Sequence, residues 1–223
     1  VLEFARRAGV QRFLFTSSGA VYGPQPPELD RIPEHSPMGP DPIDTQSTYG
    51  TAGEAKRAAE SLCALYARQF GMETVIARCF TFVGPGLPLN GKFAIGNFIR
   101  DALAGGPIHV QGDGTPYRSY LYATDLVVWL WTILLRGTSG QAYNVGSEIA
   151  VSIATAAQAV SESVAPSPSI RVARMPDPTQ RPSRYVPSTL KARTDLGLEE
   201  TVDVREAIRR TVSWQRSDRR PCT

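Results

Sequence analysis

The chain has 223 residues, of which 42% are hydrophobic and 20% are charged, a composition that is typical of a globular protein and excludes disorder along the whole length. The formal net charge of +3 gives no reason to expect a nucleic-acid partner. The longest apolar run, residues 126–135, is much shorter than the ~20 residues of a membrane span, so we expect no membrane partner. No secretory signal pattern precedes the first polar segment, and we expect a cytoplasmic location.

Helix and strand signals alternate in the first part of the chain. Apolar residues at helical spacing in residues 1–8 predict a helix that ends at Gly9. Residues 12–18, rich in Phe and Leu, predict a buried strand. Residues 24–46 contain seven prolines and predict a long surface loop. A helix follows over residues 53–70, and its apolar face consists of Ala58, Leu62, Leu65 and Tyr66.

The second part of the chain continues the alternation, beginning with a buried strand within residues 72–84. The further predicted elements are helices at 93–104, from Asp125, at 151–165 and at 201–215, and strands at 107–111, 141–147 and 170–174. Helices between strands favour a mostly parallel sheet with helices on its faces. Ligands of such sheets bind at the carboxyl ends of the strands, so the residues that follow the first two strands are expected to line the site.

Cysteines and histidines are few and give no recognisable motif. Cys63, Cys79 and Cys222 form no CxxC pair, which predicts free thiols in a reducing compartment. The two histidines, His35 and His109, lack the spacing of a metal-ligand motif. We therefore expect no metal site.

Polar residues whose side chains are suited to catalysis follow the first strand and lie at the start of the helix after the loop. They are the stretch TSSGAVYG, residues 16–23, and Tyr49 with Lys56 seven positions later. A tyrosine acts as acid or base near neutral pH only when its phenolate is stabilised, because its ordinary pKa is ~10. A nearby ammonium stabilises the phenolate, and a serine hydroxyl can hold the same substrate oxygen. Ser18, Tyr49 and Lys56 therefore suit oxidation of an alcohol beside a nicotinamide.

The order of the motifs is more informative than any one of them. TSSGAVYG, the proline-rich loop, a tyrosine before AKRAAE, a strand ending in GPG, GDGTPYRSYLYATD and YNVG follow one another. In this order the chain resembles the extended short-chain dehydrogenase/reductase family, in the branch of NAD-dependent sugar-nucleotide epimerases and dehydratases. The resemblance runs from the first residue to about Trp214. It implies an α/β fold: a partial Rossmann-type (doubly wound) parallel sheet with a small C-terminal α/β substrate-binding domain.

The resemblance also implies how the chain is divided. Residues 1–90, joined by 115–150, would be the C-terminal part of the dinucleotide-binding domain. Residues 91–114 and 151–215 would form the small substrate-binding domain, and 216–223 a flexible tail. Relatives commonly dimerise through helices that flank the sheet, so a homodimer is implied as well.

Roles for single residues follow from the same resemblance. Ser18, Tyr49 and Lys56 match the catalytic residues of the family. Tyr49 and Lys56, with Ser17 and Phe80, are the expected contacts of the cofactor, NAD or NADP.

The implied substrate is a nucleotide sugar. Arg118 matches an arginine that grips the nucleotide's diphosphate, for which a guanidinium fork is well suited. Asn144 is either a substrate contact or structural. Thr81 and Val83 replace an Asn and a Tyr of the family pattern. The other expected substrate contacts are Ser18, Thr81, Asn97 and Arg181. A structural role is the alternative for Asn97 and Arg181.

The cofactor fingerprint GxxGxxG of the family is absent from these 223 residues. We therefore expect the chain to be amino-terminally incomplete, with an incomplete pocket for NAD or NADP, and of reduced activity. The family's YxxxK spacing is also changed, since Gly53 stands four residues after Tyr49 and the lysine three further on. This predicts a three-residue insertion. If the insertion loops out, Tyr49 still reaches Lys56; if it extends the helix, the two are separated by a rise of ~10.5 Å instead of ~6 Å and the pair is broken.

The position after the catalytic serine bears on the reaction. The 4,6-dehydratases of the family carry an Asp–Glu pair there, whereas this chain has Gly19 and Ala20, which cannot transfer protons. The expected function is therefore a nicotinamide-dependent 4-epimerase or 4-ketosugar reductase. A catalytically inactive module that binds a nucleotide sugar is the alternative.

Overall fold

The computed structural model describes residues 1–47, 49–91 and 93–218. Its helices are α1 (Leu2–Arg7), α2 (Gly50–Phe70), α3 (Ala94–Leu103), α4 (Ala123–Arg136), α5 (Ile153–Glu162), α6 (Leu190–Leu196) and α7 (Val204–Asp218). Its strands are β1 (Arg12–Ser18), β2 (Glu73–Cys79), β3 (Phe82–Val83), β4 (Ile108–Val110), β5 (Tyr117–Arg118), β6 (Leu121–Tyr122), β7 (Ala142–Val145), β8 (Val151–Ser152), β9 (Ile170–Val172) and β10 (Arg184–Tyr185).

A parallel sheet with the strand order β1-β2-β7 forms the centre of the fold. The register pairs Ser18 with Cys79 and Cys79 with Val145, so the three strands end side by side. The predicted α/β class with a parallel sheet is confirmed. Polar residues that follow these strand ends must meet at one edge of the sheet.

Helices α2 and α4 cover opposite faces of this sheet, because successive side chains of a strand point to opposite faces. Val75 and Ala77 of β2 are fully buried in a cluster with Trp129 and Ile133 of α4. Their neighbour Thr74 donates instead to a backbone carbonyl of α2. The face of β1 and β2 that meets α2 is thus partly polar.

A second hydrophobic cluster is built from α3, α5, α7 and β4. Its fully buried members include Ile95, Ile99, Ile108, Val160 and Ile208. It lies in the segments that the sequence assigns to a substrate-binding domain, although the domain limits themselves stay a prediction.

Several bounds differ from the expected ones. Helix α2 begins at Gly50 rather than at residue 53, and the apolar face named above is largely exposed, with Leu62 49% exposed. Arg216 lies inside α7, so the expected tail does not begin there. The short helix α6 and the two-residue strands were not predicted.

Within the described ranges, no helix combines the length and apolarity that a bilayer crossing requires. The same residues contain no cluster of His, Cys, Asp or Glu suited to a metal ion. Cys63 and Cys79 are free thiols. Cys222 and residues 219–223 lie outside the described residues.

Candidate active site

Ser18 is the last residue of β1, and a tight turn follows it. Its Oγ accepts a hydrogen bond from Ala20 N (3.1 Å) and so caps the 3-10 helix Gly19–Tyr22. A Cβ at position 19 would lie 2.5 Å from the hydroxyl of Tyr185, so the glycine allows this phenol to lie against the turn. Burial raises the pKa of Tyr185, and the neighbouring Ser18 hydroxyl acts in the opposite direction. Ser18 and Tyr185 therefore share one polar corner at the strand end.

Tyr49 reaches the same corner from the start of α2. Its ring centroid is 5.9 Å from that of Tyr185, whose ring lies 4.7 Å from Phe80. Burial raises the pKa of Tyr49, and the positive charge of Arg118 lowers it. Arg118 and Tyr185 are register partners on β5 and β10, so this cation lies on the strand next to the Tyr185 phenol.

The Lys56 side chain contacts β1 before the strand end. Its Nζ donates to the backbone oxygen of Thr16 (2.7 Å) and lies 4.9 Å from the ring centroid of Phe15. Thr16 is two residues before Ser18 on β1. The amine thus contacts β1 two residues before the strand end, whereas the Tyr49 ring lies against Tyr185.

The helical start of α2 explains this separation. Tyr49 has helical dihedrals (φ −82°, ψ −39°), and its carbonyl accepts from Gly53 N at 2.9 Å. Residues 51–53, which the sequence predicts to be an insertion, therefore lie in the helix and do not loop out. Of the two alternatives for the insertion, the structure has the one that separates Tyr49 from Lys56.

A cavity of about 420 Å³ adjoins Arg118. It is lined by α3, the segment 109–116 and Ile153 of α5. Its polar side chains are Asn97, Arg100, Asp101, His109, Gln111 and Arg118. Asn97 Oδ1 accepts from Arg100 Nη1 (3.2 Å), and among the described residues the Asn97 amide NH₂ has no acceptor. The residues expected at the diphosphate and on α3 thus share one cavity.

The other predicted site residues have varied surroundings. Ser17 is 4% exposed and donates to Glu60 on α2 (2.5 Å). Thr81 is half-buried, and its backbone oxygen accepts from Leu121 N. Arg181 is exposed. Their assignment to cofactor or substrate stays a prediction.

Asn144 proves to be structural. It is fully buried, its Oδ1 accepts from the Tyr22 hydroxyl (2.8 Å), and its Nδ2 donates to the carbonyls of Ile32 and Ser188. It joins β7 to the proline-rich loop and to the segment after β10.

Two residues of this region were missed by the sequence analysis. Tyr185 has no local motif, and its place follows from the pairing of β10 with β5. Glu60 was detectable, because it lies one helical turn after Lys56 and therefore on the same face of α2.

The parallel sheet and the polar residues at its carboxyl edge define an α/β protein with a ligand site at the strand ends. The chain belongs to the NAD dependent epimerase/dehydratase family, whose model matches residues 1–146. NAD is the cofactor of this family, and the partial Rossmann-type architecture is confirmed.

Similar proteins have several related activities. UDP-glucuronic acid decarboxylase 5 of Arabidopsis thaliana is 34% identical over 208 residues, which cover 93% of this chain and 58% of the relative. The UDP-glucose 4-epimerase of Thermus thermophilus, solved with NAD, superimposes with a TM-score of 0.81 at 27% identity and covers 96% of this chain and 67% of its own. A dTDP-glucose 4,6-dehydratase from Bacillus anthracis shares the fold, with a TM-score of 0.78 at 20% identity over 97% of this chain and 65% of its own. The chain thus spans about three fifths of the curated relative's length.

Proposed function

We propose that this chain binds a nucleotide sugar and belongs to a nicotinamide-dependent 4-epimerase or 4-ketosugar reductase. The observation that carries the proposal is the corner where Ser18, Tyr49 and Tyr185 meet, beside Arg118 of the cavity. Hydroxyl groups that converge next to a cation suit an alcohol or ketone whose oxygen changes charge during the reaction.

The cavity supports the nucleotide part of the proposal. Arg118 lines it, and guanidinium groups bind phosphate oxygens with two parallel hydrogen bonds. His109 and Arg100 line it as well, although the Arg100 guanidinium is paired with Asp101 at 2.8 Å. Asn97 and Gln111 supply amide groups that can pair with a nucleobase or a ribose. Its volume of about 420 Å³ lies within the range of small-molecule sites. The exposed Arg181 remains a proposed additional contact.

The hydroxyl groups of Ser18, Tyr49 and Tyr185 at the strand ends support the redox reaction in the proposal. NAD, when bound, accepts a hydride from the sugar carbon and returns it. Tyr49 would take the proton of the sugar hydroxyl. Burial raises the pKa of Tyr49, and the charge of Arg118 opposes this rise. Ser18 would hold the same oxygen. One N–H of Lys56 is used on Thr16, so within the described residues two remain for ribose hydroxyls of the cofactor.

The relatives favour a second candidate, decarboxylation of a nucleotide hexuronic acid. Oxidation at C4 places a ketone β to the C6 carboxylate. The C5–C6 bond then breaks and carbon dioxide leaves. The electron pair of the broken bond forms an enolate, which is protonated at C5 before hydride returns to C4. Expulsion of carbon dioxide needs no protein acid, so Gly19 and Ala20 do not oppose this reaction as they oppose dehydration.

The helical extension of α2 favours a third candidate, the inactive binding module. With Lys56 held at Thr16, its ammonium is not placed to stabilise a Tyr49 phenolate. The module would retain the cavity and lose the proton transfer.

One experiment separates these functions. The chain is titrated calorimetrically with UDP-glucose, dTDP-glucose and UDP-glucuronic acid, and each mixture with NAD is followed by NMR for epimer, keto sugar or pentose. Turnover lost in Tyr49→Phe and kept in Tyr66→Phe, a matched change on the same helix, supports the enzyme. Binding without turnover supports the module. Absence of binding to all three sugars contradicts the proposal.

We also propose homodimerisation through α1 and α2. Phe4 is 75% exposed, and Leu62 and Phe70 are each 49% exposed, which leaves an apolar surface on these helices. Sedimentation equilibrium would show a dimer that Leu62→Glu converts into a monomer. A monomer at all concentrations for the unsubstituted chain contradicts this.

A further inference from the structure

A buried carboxylate lies directly behind the candidate active site. Glu60 is 8% exposed and stands one turn after Lys56 on α2. Carboxylates are rarely buried unless they are paired, so the contacts of this one indicate its role.

Glu60 joins α2 to both strands that end at the site. It accepts from Ser17 Oγ of β1 (2.5 Å) and from Arg78 Nη2 of β2 (2.7 Å). Ser17 and Arg78 are register partners, and each directly precedes the last residue of its strand, Ser18 or Cys79. A single carboxylate thus fixes the helix against the ends of two neighbouring strands.

The network continues from Arg78 across the molecule. Arg78 Nη1 donates to the Tyr22 hydroxyl (2.8 Å) and to the carbonyl of Glu34 (3.0 Å). Tyr22 donates to Asn144, whose amide donates to the carbonyl of Ser188 (3.0 Å). Ser188 lies three residues after Tyr185. The hydrogen bonds therefore connect α2 with the segment that carries the missed phenol.

A buried ion pair of this kind is weak evidence for stability, because desolvation offsets most of the attraction. Its contribution is to geometry, since the fork of Arg78 and the two oxygens of Glu60 permit few mutual arrangements. Sliding α2 along the sheet would break the contacts with Ser17 and Arg78 together.

We propose that Glu60 is a positioning residue that holds the Lys56 amine at the end of β1 for the cofactor ribose. The role as a ribose contact rests on the proposed function, whereas the positioning itself does not. Lys56 reaches Thr16 on the strand to which Glu60 binds through Ser17, so the two contacts share one helix and one strand.

The test uses the chain's three lysines, Lys56, Lys92 and Lys191. Reductive methylation with ¹³C-formaldehyde gives one NMR signal for each dimethylated amine, and Lys56→Arg assigns the first. The variants are Glu60→Gln, which keeps the size of the side chain, and Ser17→Ala, which removes a neutral partner. Glu54→Gln is the matched control.

Glu54 lies on the same helix, and its ion pair with Arg57 is partly exposed and longer, at 3.5 Å. In Glu60→Gln we expect the chemical shifts of the Lys56 signal to move at least halfway to those of the urea-unfolded chain. Ser17→Ala should move them in the same direction by less. The control should leave them unchanged, and its nucleotide-sugar affinity should change less than twofold.

A merely structural Glu60 would lower the unfolding midpoint without moving the Lys56 signal in the folded chain. The proposal is overturned if both Glu60→Gln and Ser17→Ala leave the signal in place, or if Glu54→Gln moves it equally. If Glu60→Gln fails to fold, Ser17→Ala decides alone. The signal is measured without cofactor or turnover, so failure of the proposed function does not affect this result.

Discussion

Deletion of Thr51–Gly53 would test whether the length of α2 separates Tyr49 from Lys56. After the deletion Gly50 directly precedes Glu54 and takes the place of Gly53. That place requires a glycine, because a Cβ there would lie 2.6 Å from the carbonyl oxygen of Ala20. The close contact is therefore kept. The preceding residues 41–47, which are mostly exposed, have to move along the helix axis by ~4.5 Å, the rise of three helical residues.

The expected effect is electrostatic. Tyr49 would stand four residues from Lys56 rather than seven, which shortens the axial separation from ~10.5 Å to ~6 Å. With an effective dielectric constant of about 20, the attraction between phenolate and ammonium grows from about 1.6 to about 2.8 kcal/mol. The gain of about 1.2 kcal/mol corresponds to a roughly sevenfold larger acid dissociation constant of the phenol.

The assay is a pH titration of the chain labelled with ¹³C at the tyrosine Cζ, with the Tyr49 signal assigned through Tyr49→Phe. Length-preserving replacements, Thr51→Ala and Ala52→Ser, serve as controls and should leave the titration unchanged. We also expect turnover of the nucleotide sugar to rise in the deletion variant. A folded deletion variant whose Tyr49 pKa is unchanged or higher would refute the reasoning.

Three further predictions concern single residues. Gly53→Ala should lower the free energy of unfolding by about 1–3 kcal/mol in urea titrations, because its Cβ would crowd Ala20; a gain, as at an ordinary helical glycine, contradicts this contact. Arg118→Gln should raise the pKa of Tyr49 and weaken nucleotide-sugar binding, and an unaltered ¹³C titration would exclude Arg118 as the phenol's cation. Burial raises the pKa of Tyr22 to about 12, so the stability contributed by its neutral form is complete below the ordinary value of ~10 and is lost as the pH rises to about 12. Tyr22→Phe should remove this part of the decline in urea midpoints, and an identical decline in both proteins would count against it.

Elements with a long periodic pattern were predictable, and very short ones were not. The apolar run of β1 is bounded by polar residues, and the strand has the expected limits Arg12–Ser18. Strands β3, β5, β6, β8 and β10 have two residues each, too few to show a period. They are defined by their partners in space.

The orientation of α2 shows that an apolar face in the sequence does not always identify the buried side of a helix. Its apolar face suggests a core contact, yet Leu62 is 49% exposed while Glu60 and Cys63 are buried. The helix turns its polar side to the sheet because Ser17 and Arg78 need a carboxylate there. A prediction from hydrophobic periodicity places the apolar residues of a helix against the core and takes no account of polar partners on the sheet.

The candidate site was predictable where its residues follow strands and not where distant segments join it. Ser18 and Arg118 belong to local motifs, and both lie at the site. Tyr185 enters through the pairing of β10 with β5, a contact between segments far apart in the chain. No local pattern encodes that pairing, so the Tyr185 phenol beside Ser18 was absent from the expectation.

The two glycines at the start of α2 explain why the inserted residues are helical. Gly50 and Gly53 are three positions apart and therefore lie on one face of the helix. A Cβ on Gly50 would overlap the carbonyl of Asp44, and one on Gly53 would crowd that of Ala20. Each glycine lets the backbone approach the surrounding loops without a side chain between them, so the extended helix fits where a larger residue would force the insertion outward. The separation of Tyr49 from Lys56 is then a consequence of packing at the helix start, and the phenol depends on the cation that strand pairing brings to it, Arg118.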